Sequence, residues 1–600
     1  MLRPIMELAY QDLANGRIPL VVVPTGYGKT RASPEIYHRA RSDGLASGLI
    51  HVAPLRSLVQ RIYEETFRSH GGAYQMHDPR PGPDKSPYLL RPLVVTTLDS
   101  FTLNMYRIPV LESLKIREGL SYGHYYPVYT SVLSSIIVFD EAHLYLSDEA
   151  LDRGVTVDSL RALVEFLSKA GTSLMIETAT MRPSTLSSLA AAIGASGREV
   201  VIRLPSCPRS PYEARLQETL TGIGEYGVNV ERTMDEAWLE ENSGIRWKTR
   251  VYKGWGRALA VAKRLSREGR VLIVANTVSK AVELYSRLGG DALLIHGRLT
   301  TWDQKRVVDQ LGSNGPPSII VSTQVIEAGV DVNSIAVIAE AAPIENLVQR
   351  AGRACRRGQA LEWCRENDAL VGIVVDGRDS GVYDRDEVEA SLSALKSVLG
   401  QDREVDWRLP CPFKSRESYT SLIAEADLLS TNTNPPARGS RGTIHSLLSY
   451  FLEKDGVPDF IEEVKKLAGW CGLVRNTIIM PIAIGGDYVI TSLQWALTHA
   501  EQILELDLET GAPILVGIPL VDDVPEARGP AINTWRTYRS AKGMLHDQDC
   551  YRLLASLASD ERMVAKRSGA KVTVYRWALS GRPGSYEQGI GLIADLDQEG

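Results

Sequence analysis

The sequence predicts an α/β protein made of two tandem parallel-sheet domains and a C-terminal domain of mixed structure. Three observations carry that expectation. Short, nearly continuous apolar runs alternate with helical patterns up to about residue 375, as strands buried on both faces of a parallel sheet do. The runs fall into two series separated by a mixed, polar segment. Beyond residue 380 the rhythm is lost. At 600 residues the chain exceeds the size at which one core keeps growing, so roughly two to four domains are expected.

The first series is IPLVVVP, LIHVAP, LVVTTL, SIIVFDEAH, SLMIETAT and VVIRL; the second is VLIVANT, ALLIHG, SIIVSTQV, IAVIAE and LVGIVV. We therefore expect a first domain over residues 1–205, a linker region over 206–255, a second domain over 256–380 and an accessory domain over 381–600. The proline-rich DPRPGPDKSPYLLRP (78–92) predicts a surface loop in the first domain. A second loop is expected at STNTNPPARGSRGT (430–443), where Arg438 and Arg441 face either phosphates or only water.

With 44% hydrophobic and 23% charged residues, the composition is that of a globular chain. No apolar run reaches the roughly eighteen residues that span a bilayer. The N-terminus MLRPIMELAYQDLANG lacks the order of a signal peptide, so a cytoplasmic location without a membrane partner is expected. The six cysteines, Cys207, Cys355, Cys364, Cys411, Cys471 and Cys550, form no C-x-x-C pair. That argues against a zinc ribbon and predicts buried free thiols. A net charge of −6 leaves room for a local basic channel on an acidic exterior.

Chemistry concentrates first in VVVPTGYGKT (21–30). An apolar strand, a glycine-spaced turn and a Lys-Thr pair predict a phosphate-binding loop, although Val23 stands where the full pattern has glycine. Thr25, Gly26 and Gly28 would bring backbone N–H groups onto the phosphates of ATP, Lys29 would reach the β and γ oxygens, and Thr30 would ligate Mg2+. Downstream, SIIVFDEAH places Asp140 and Glu141 at a strand end, where parallel sheets present their chemistry. Asp140 is expected to hold the metal and Glu141 to activate the attacking water. Charge developing on the γ-phosphoryl group calls for a cation from another domain. LVQRAGRACRR supplies Gln349, Arg350, Arg353 and Arg356 with helical spacing; Gln349, Arg353 and Arg356 are the expected catalytic set, the last two on one helix face.

Together these residues resemble superfamily 2 helicases, in which two RecA-like domains sandwich ATP; the resemblance covers roughly residues 1–375. HVAPLRSLVQ resembles motif Ia, VVTTLDSF motif Ib and ETATM motif III. Within the superfamily, VLIVANTVSKAVELYSRL, LLIHGRLTTWDQKR and STQVIEAGVDVNSIAVIAEAAPIENLVQRAGR are most similar to the CRISPR-associated type I signature helicases. The resemblance implies ATP-driven movement, 3′ to 5′, on single-stranded DNA opened by a CRISPR surveillance complex. It places Pro54, Arg56, Thr97, Asp99, Asn276, Thr277 and Thr323 on the nucleic acid. Gln324, Glu327, Gly329 and Asp331 are expected to shape the nucleotide cleft, and His143 to couple hydrolysis to Thr178 and Thr180.

Two departures stand out: Met6 in LRPIM replaces the glutamine of an adenine-reading motif, and Cys355 replaces a frequent glycine and is expected to be a small buried thiol. Many relatives carry an N-terminal HD nuclease, but this chain opens almost directly on helicase motifs. Its His-Asp pairs, His77-Asp78 and His546-Asp547, are too sparse for a metal site. No nuclease activity is expected, and a separate HD nuclease subunit is the implied partner. Two other readings stay open: a DNA-repair or RNA helicase outside CRISPR, and an ATP-gated nucleic-acid clamp that does not unwind.

Overall fold

The computed structural model describes residues 2–76, 84–107, 109, 123, 126–146, 155–223, 227–289, 292–311, 318–328, 332–377, 382–400, 404–411, 417–430, 479–485, 487–506, 508, 513–520, 565–568 and 571–593. Two large parallel sheets dominate it. The first contains β1 (Ile18–Val22), β2 (Gly48–Ala53), β3 (Ala73–Gln75), β4 (Leu93–Thr97), β5 (Ser135–Phe139), β6 (Ser173–Thr178), β7 (Val200–Pro205) and β8 (Val228–Thr233). Their order is β3-β4-β2-β5-β6-β1-β7-β8. The second contains β9 (Arg246–Lys253), β10 (Val271–Val274), β11 (Ala292–Ile295), β12 (Ile319–Ser322), β13 (Ala336–Glu340) and β14 (Asp368–Val375), in the order β11-β12-β10-β13-β14-β9.

Every apolar run named in the sequence is one of these strands. The strands that the runs did not announce are edge or near-edge strands. β8 (VNVERT) and β9 (RWKTRVYK) carry charged residues in alternation and are largely open to solvent on one face, so neither makes an apolar run. Both lie in the expected linker, 206–255, which is corrected accordingly: β8 pairs with β7 and β9 with β14, each in parallel. The segment thus closes one sheet and opens the next.

Alternation along the strands sorts the first lobe into two cores. Val21, Val23, Leu49, Ala53, Ile136, Val138 and Met175 pack with Ala32 and Ile36 of the helix Lys29–Ser42. By the same alternation His51 and Glu177, both fully buried, point to that face. The apolar layer beneath this helix therefore contains two titratable side chains.

At the C-terminal end a mixed five-stranded sheet joins Ile479–Ile484, Asp487–Ser492, Leu515–Leu520, Ala565–Ser568 and Lys571–Ser580. It meets the second lobe at Asp487, whose Oδ2 accepts from Trp302 N at 2.8 Å. The hairpin Tyr586–Leu592 that follows it meets Asp303, whose Oδ2 accepts from the Tyr586 hydroxyl at 2.6 Å and from Gly589 N at 3.1 Å. No helix among the described residues is long and apolar enough to cross a membrane.

The cysteines depart from the free thiols expected. Cys207 is bonded to Cys411 and Cys355 to Cys364, with Cα–Cα distances of 5.1 and 5.8 Å. A separation of 204 residues in the first pair, and no motif spacing in the second, left the pairing unreadable. Cys471, Cys550, Arg438, Arg441, both His-Asp pairs, Gly329 and Asp331 lie outside the described residues.

Candidate functional site

After β1 the chain turns through Pro24–Gly28 into the helix Lys29–Ser42. Gly26 and Gly28 take φ of 85° and 100°, a left-handed backbone that strains any residue with a Cβ. This turn aims the free N–H groups of the helix start at the cavity. Lys29 Nζ lies 3.4 Å from Glu141 Oε1, and the Thr30 hydroxyl donates to Asp140 Oδ2 at 3.1 Å.

Asp140 follows β5 and is 2% exposed. Burial pushes its carboxyl upward, but the hydrogen bond and charge of His51, the charge of Lys29 and the Thr30 hydroxyl outweigh that and hold it at about 2. An ionised carboxylate beside a hydroxyl is a hard-oxygen donor set, which fits Mg2+. Glu141 takes φ of 48°, an uncommon conformation for this residue type and one that concentrates at functional sites. Its Oε2 is buried without a hydrogen-bond partner among the described residues.

The second lobe supplies the opposite wall. From the helix Ile344–Ala351, Gln349 accepts from the Thr25 hydroxyl at 3.5 Å and donates from Nε2 to Thr180 Oγ1 at 3.3 Å. A Cβ built on Gly352 would sit 3.7 Å from Thr25 Cβ, so the lobes are in van der Waals range there. Arg182, just past Thr180, is bound by Glu345 and by Glu387 across the same interface. The cavity between the lobes holds about 520 Å³ and is lined by Thr25 to Thr30, Asp140, Glu141, Thr180, Arg353 and Arg356.

The arginine spacing needs one correction. The helix ends at Ala351, with Gly352 as its cap, so Arg353 and Arg356 do not share a helix face. They reach the cavity from the turn beyond it. Arg353 donates to the carbonyl of Glu327, while Cys355 takes φ of 54° and is bonded to Cys364. That left-handed backbone accounts for a glycine preference at the position. Arg350 faces away and is fully buried, donating to Glu327 Oε1 at 2.7 Å, to the Glu340 carbonyl at 3.0 Å and to the Tyr383 hydroxyl at 3.0 Å.

His143 touches the strand that carries ETATM: its Nδ1 is 3.1 Å from Thr178 Oγ1, to which Thr180 N donates at 3.4 Å. Burial lowers the ring below its ordinary value although Glu141 opposes this, so the contact is made by a neutral imidazole.

Parts of the chain are similar to known proteins. The family model "DEAD/DEAH box helicase" matches residues 3–189, and "CRISPR-associated nuclease/helicase Cas3, C-terminal" matches residues 267–359. Over these two segments the chain is similar to DEAD/DEAH box helicases and to Cas3 proteins. A "CRISPR-associated helicase Cas3" of Thermoproteus tenax is 24% identical over 65% of this chain and 61% of its own length. A "CRISPR-associated nuclease/helicase Cas3" of Methanothermobacter thermautotrophicus is 31% identical over 22% of this chain and 17% of its own. The crystal structure of T. fusca Cas3-ADP matches with a TM-score of 0.53 and 16% identity over 82% of this chain and 60% of that one, a likeness of fold. The chain therefore spans about 60% of the length of the Thermoproteus tenax relative and of this Cas3 structure.

The expected nucleic-acid residues stand apart from the cavity, since none of them lines it. Pro54, Thr97, Asn276 and Thr323 follow or end β2, β4, β10 and β12, all at C-terminal strand edges. Arg56 and Asp99 open helices there, with Thr97 and Thr277 as caps accepting from Ser100 N and Lys280 N. Asn276 is 4% exposed, and its Nδ2 donates to the Ala341 carbonyl at 2.8 Å, so its amide is committed inward. Gln324 donates to the Asn276 carbonyl at 2.7 Å, and Glu327 lines the cavity.

Other residues of the site carried no motif signal. Arg408 lines the cavity and braces the arginine turn, donating to the carbonyls of Cys355 and Arg356. Burial and then the neighbouring Arg356 push it down to about 10. Tyr27, inside the phosphate loop, donates to Asp235 Oδ2 at 2.8 Å and lies under the Arg3 guanidinium. Met6 lines the cavity with an apolar side chain at the expected base-reading position. Sequence alternation on β2 and β6 was the one available clue to His51 and Glu177.

Proposed function

We propose that this protein is an ATP-hydrolysing superfamily 2 helicase or translocase that moves 3′ to 5′ along single-stranded DNA in CRISPR type I interference. The observation that carries the reading is the shared cavity, with a phosphate-loop wall from one lobe and an arginine wall from the other. Lys29 and the helix-start N–H groups bind the phosphates. Thr30 and Asp140 would hold Mg2+, which would supply positive charge to offset that of the phosphates. Glu141 takes the proton of the attacking water. Arg353 and Arg356 meet the charge that develops on the transferred group.

Loss of the γ-phosphate removes contacts that draw the lobes together, and reopening lets one grip on the strand advance. The strand-edge positions Arg56, Thr97, Asp99, Thr277 and Thr323 are the proposed grips; because such contacts address phosphates, little sequence preference is expected. A separate HD nuclease and the surveillance complex are the proposed partners. The Thermoproteus tenax relative, matched over 65% of this chain, is named a CRISPR-associated helicase, and this supports the helicase reading.

The test is ATP turnover by the full chain with and without single-stranded DNA, run beside strand displacement on DNA and RNA duplexes. DNA-stimulated turnover with DNA displacement supports the reading. ATP-dependent binding with no displacement would instead make the protein a clamp.

A further inference from the structure

We infer that His51 is a positioning residue for Asp140, bracing the magnesium-holding carboxylate against the helix that carries the phosphate loop. The inference rests on the nucleotide reading of the cavity.

His51 sits in the middle of β2, fully buried. Both ring nitrogens are engaged: Nε2 is 3.2 Å from Asp140 Oδ2 and Nδ1 is 2.9 Å from the Ser33 hydroxyl. Phe67 meets the ring edge-on at 5.8 Å. Because Asp140 is a carboxylate it accepts, so Nε2 carries the proton of that bond. Ser33 lies one turn beyond Thr30 on the helix Lys29–Ser42. A closed ring results, from Asp140 through His51 and Ser33 to Thr30 and back to Asp140.

Thr30 and His51 both address Asp140 Oδ2. The Thr30 hydroxyl can offer a lone pair to a metal while its O–H donates to the carboxylate, and the bond from His51 is the second side-chain tether on that oxygen, from the strand side. Such partners of metal-holding groups fix the ligand's direction and keep it charged. A histidine placed only for packing would not need a buried donor aimed at a carboxylate in the cavity wall.

Wild type, His51→Ala, His51→Gln and His51→Asn are compared by binding of a fluorescent, non-hydrolysable ATP analogue as MgCl2 is titrated. Glutamine can place an amide N–H where Nε2 stands, whereas asparagine reaches only the Nδ1 position. His51→Ala and His51→Asn are expected to raise the Mg2+ midpoint by about tenfold or more. His51→Gln is expected to stay within about threefold of wild type, and binding without Mg2+ to be equal in all four. Equal midpoints in wild type and His51→Asn, or equal defects in the glutamine and asparagine variants, overturn the inference. The contrast between those two decides the matter even if the alanine variant fails to fold. Wild type that binds no nucleotide at any Mg2+ concentration refutes instead the reading of the cavity.

Discussion

The Gln349 amide joins the two lobes by donating to the Thr180 hydroxyl at 3.3 Å. Its carbonyl oxygen simultaneously accepts from Thr25 of the phosphate loop. One side chain of the second lobe thus senses both the nucleotide loop and the strand that ends in ETATM. Replacing Gln349 with Ala removes both contacts. At a net roughly 0.5–1.5 kcal/mol per hydrogen bond, DNA-stimulated ATP turnover should fall by about tenfold while nucleotide affinity changes by less than about threefold. Steady-state kinetics beside equilibrium nucleotide binding check this, and a loss of affinity alone would deny the bridging role.

His143 extends the same chain from Glu141 toward Thr178. With His143→Ala, nucleotide binding should be intact and basal turnover nearly so, whereas stimulation by single-stranded DNA should drop by roughly two- to tenfold, the worth of one hydrogen bond. Turnover measured across a DNA titration is the check; undiminished stimulation would remove His143 from the coupling path.

Glu177 is fully buried, and neither carboxyl oxygen has a hydrogen-bond partner among the described residues. Burial, then the negative charge of Asp140, raises it well above its ordinary 4.5, although Lys29 opposes this. Above about pH 4.5 the folded protein therefore holds a proton that the unfolded chain releases, so this group makes stability fall as pH rises toward its folded value. Glu177→Gln should raise the melting temperature at pH 8, with the gain shrinking toward pH 5. Thermal melts of both proteins at the two pH values test it, and a gain independent of pH would contradict the assignment.

Much of the site was legible because its groups are neighbours in sequence. Lys29 and Thr30 share one turn, Asp140 and Glu141 are adjacent, and the apolar strand before each pair marks where it emerges. What stayed hidden depends on contacts between distant residues or on weak strand signals. His51 meets Asp140 across 89 positions, and the Cys207–Cys411 bond spans 204. Arg408 reaches the arginine turn from beyond the second sheet. The edge strands β8 and β9 alternate charge with apolar residues, so they read as polar connector. Helical spacing extended the arginine helix too far because Gly352 and the Cys355–Cys364 bond, which end it and shape the turn, leave no periodic trace.

That the two lobes complete one catalytic site is tested most directly by Arg356→Ala, with Lys29→Ala as the control that loses nucleotide binding. The measurement is DNA-stimulated ATP turnover together with nucleotide affinity on the same preparations. With Arg356 acting across the cavity, turnover should fall by about a thousandfold while affinity stays within about threefold. Wild-type turnover in the Arg356→Ala protein would contradict a site shared between the lobes.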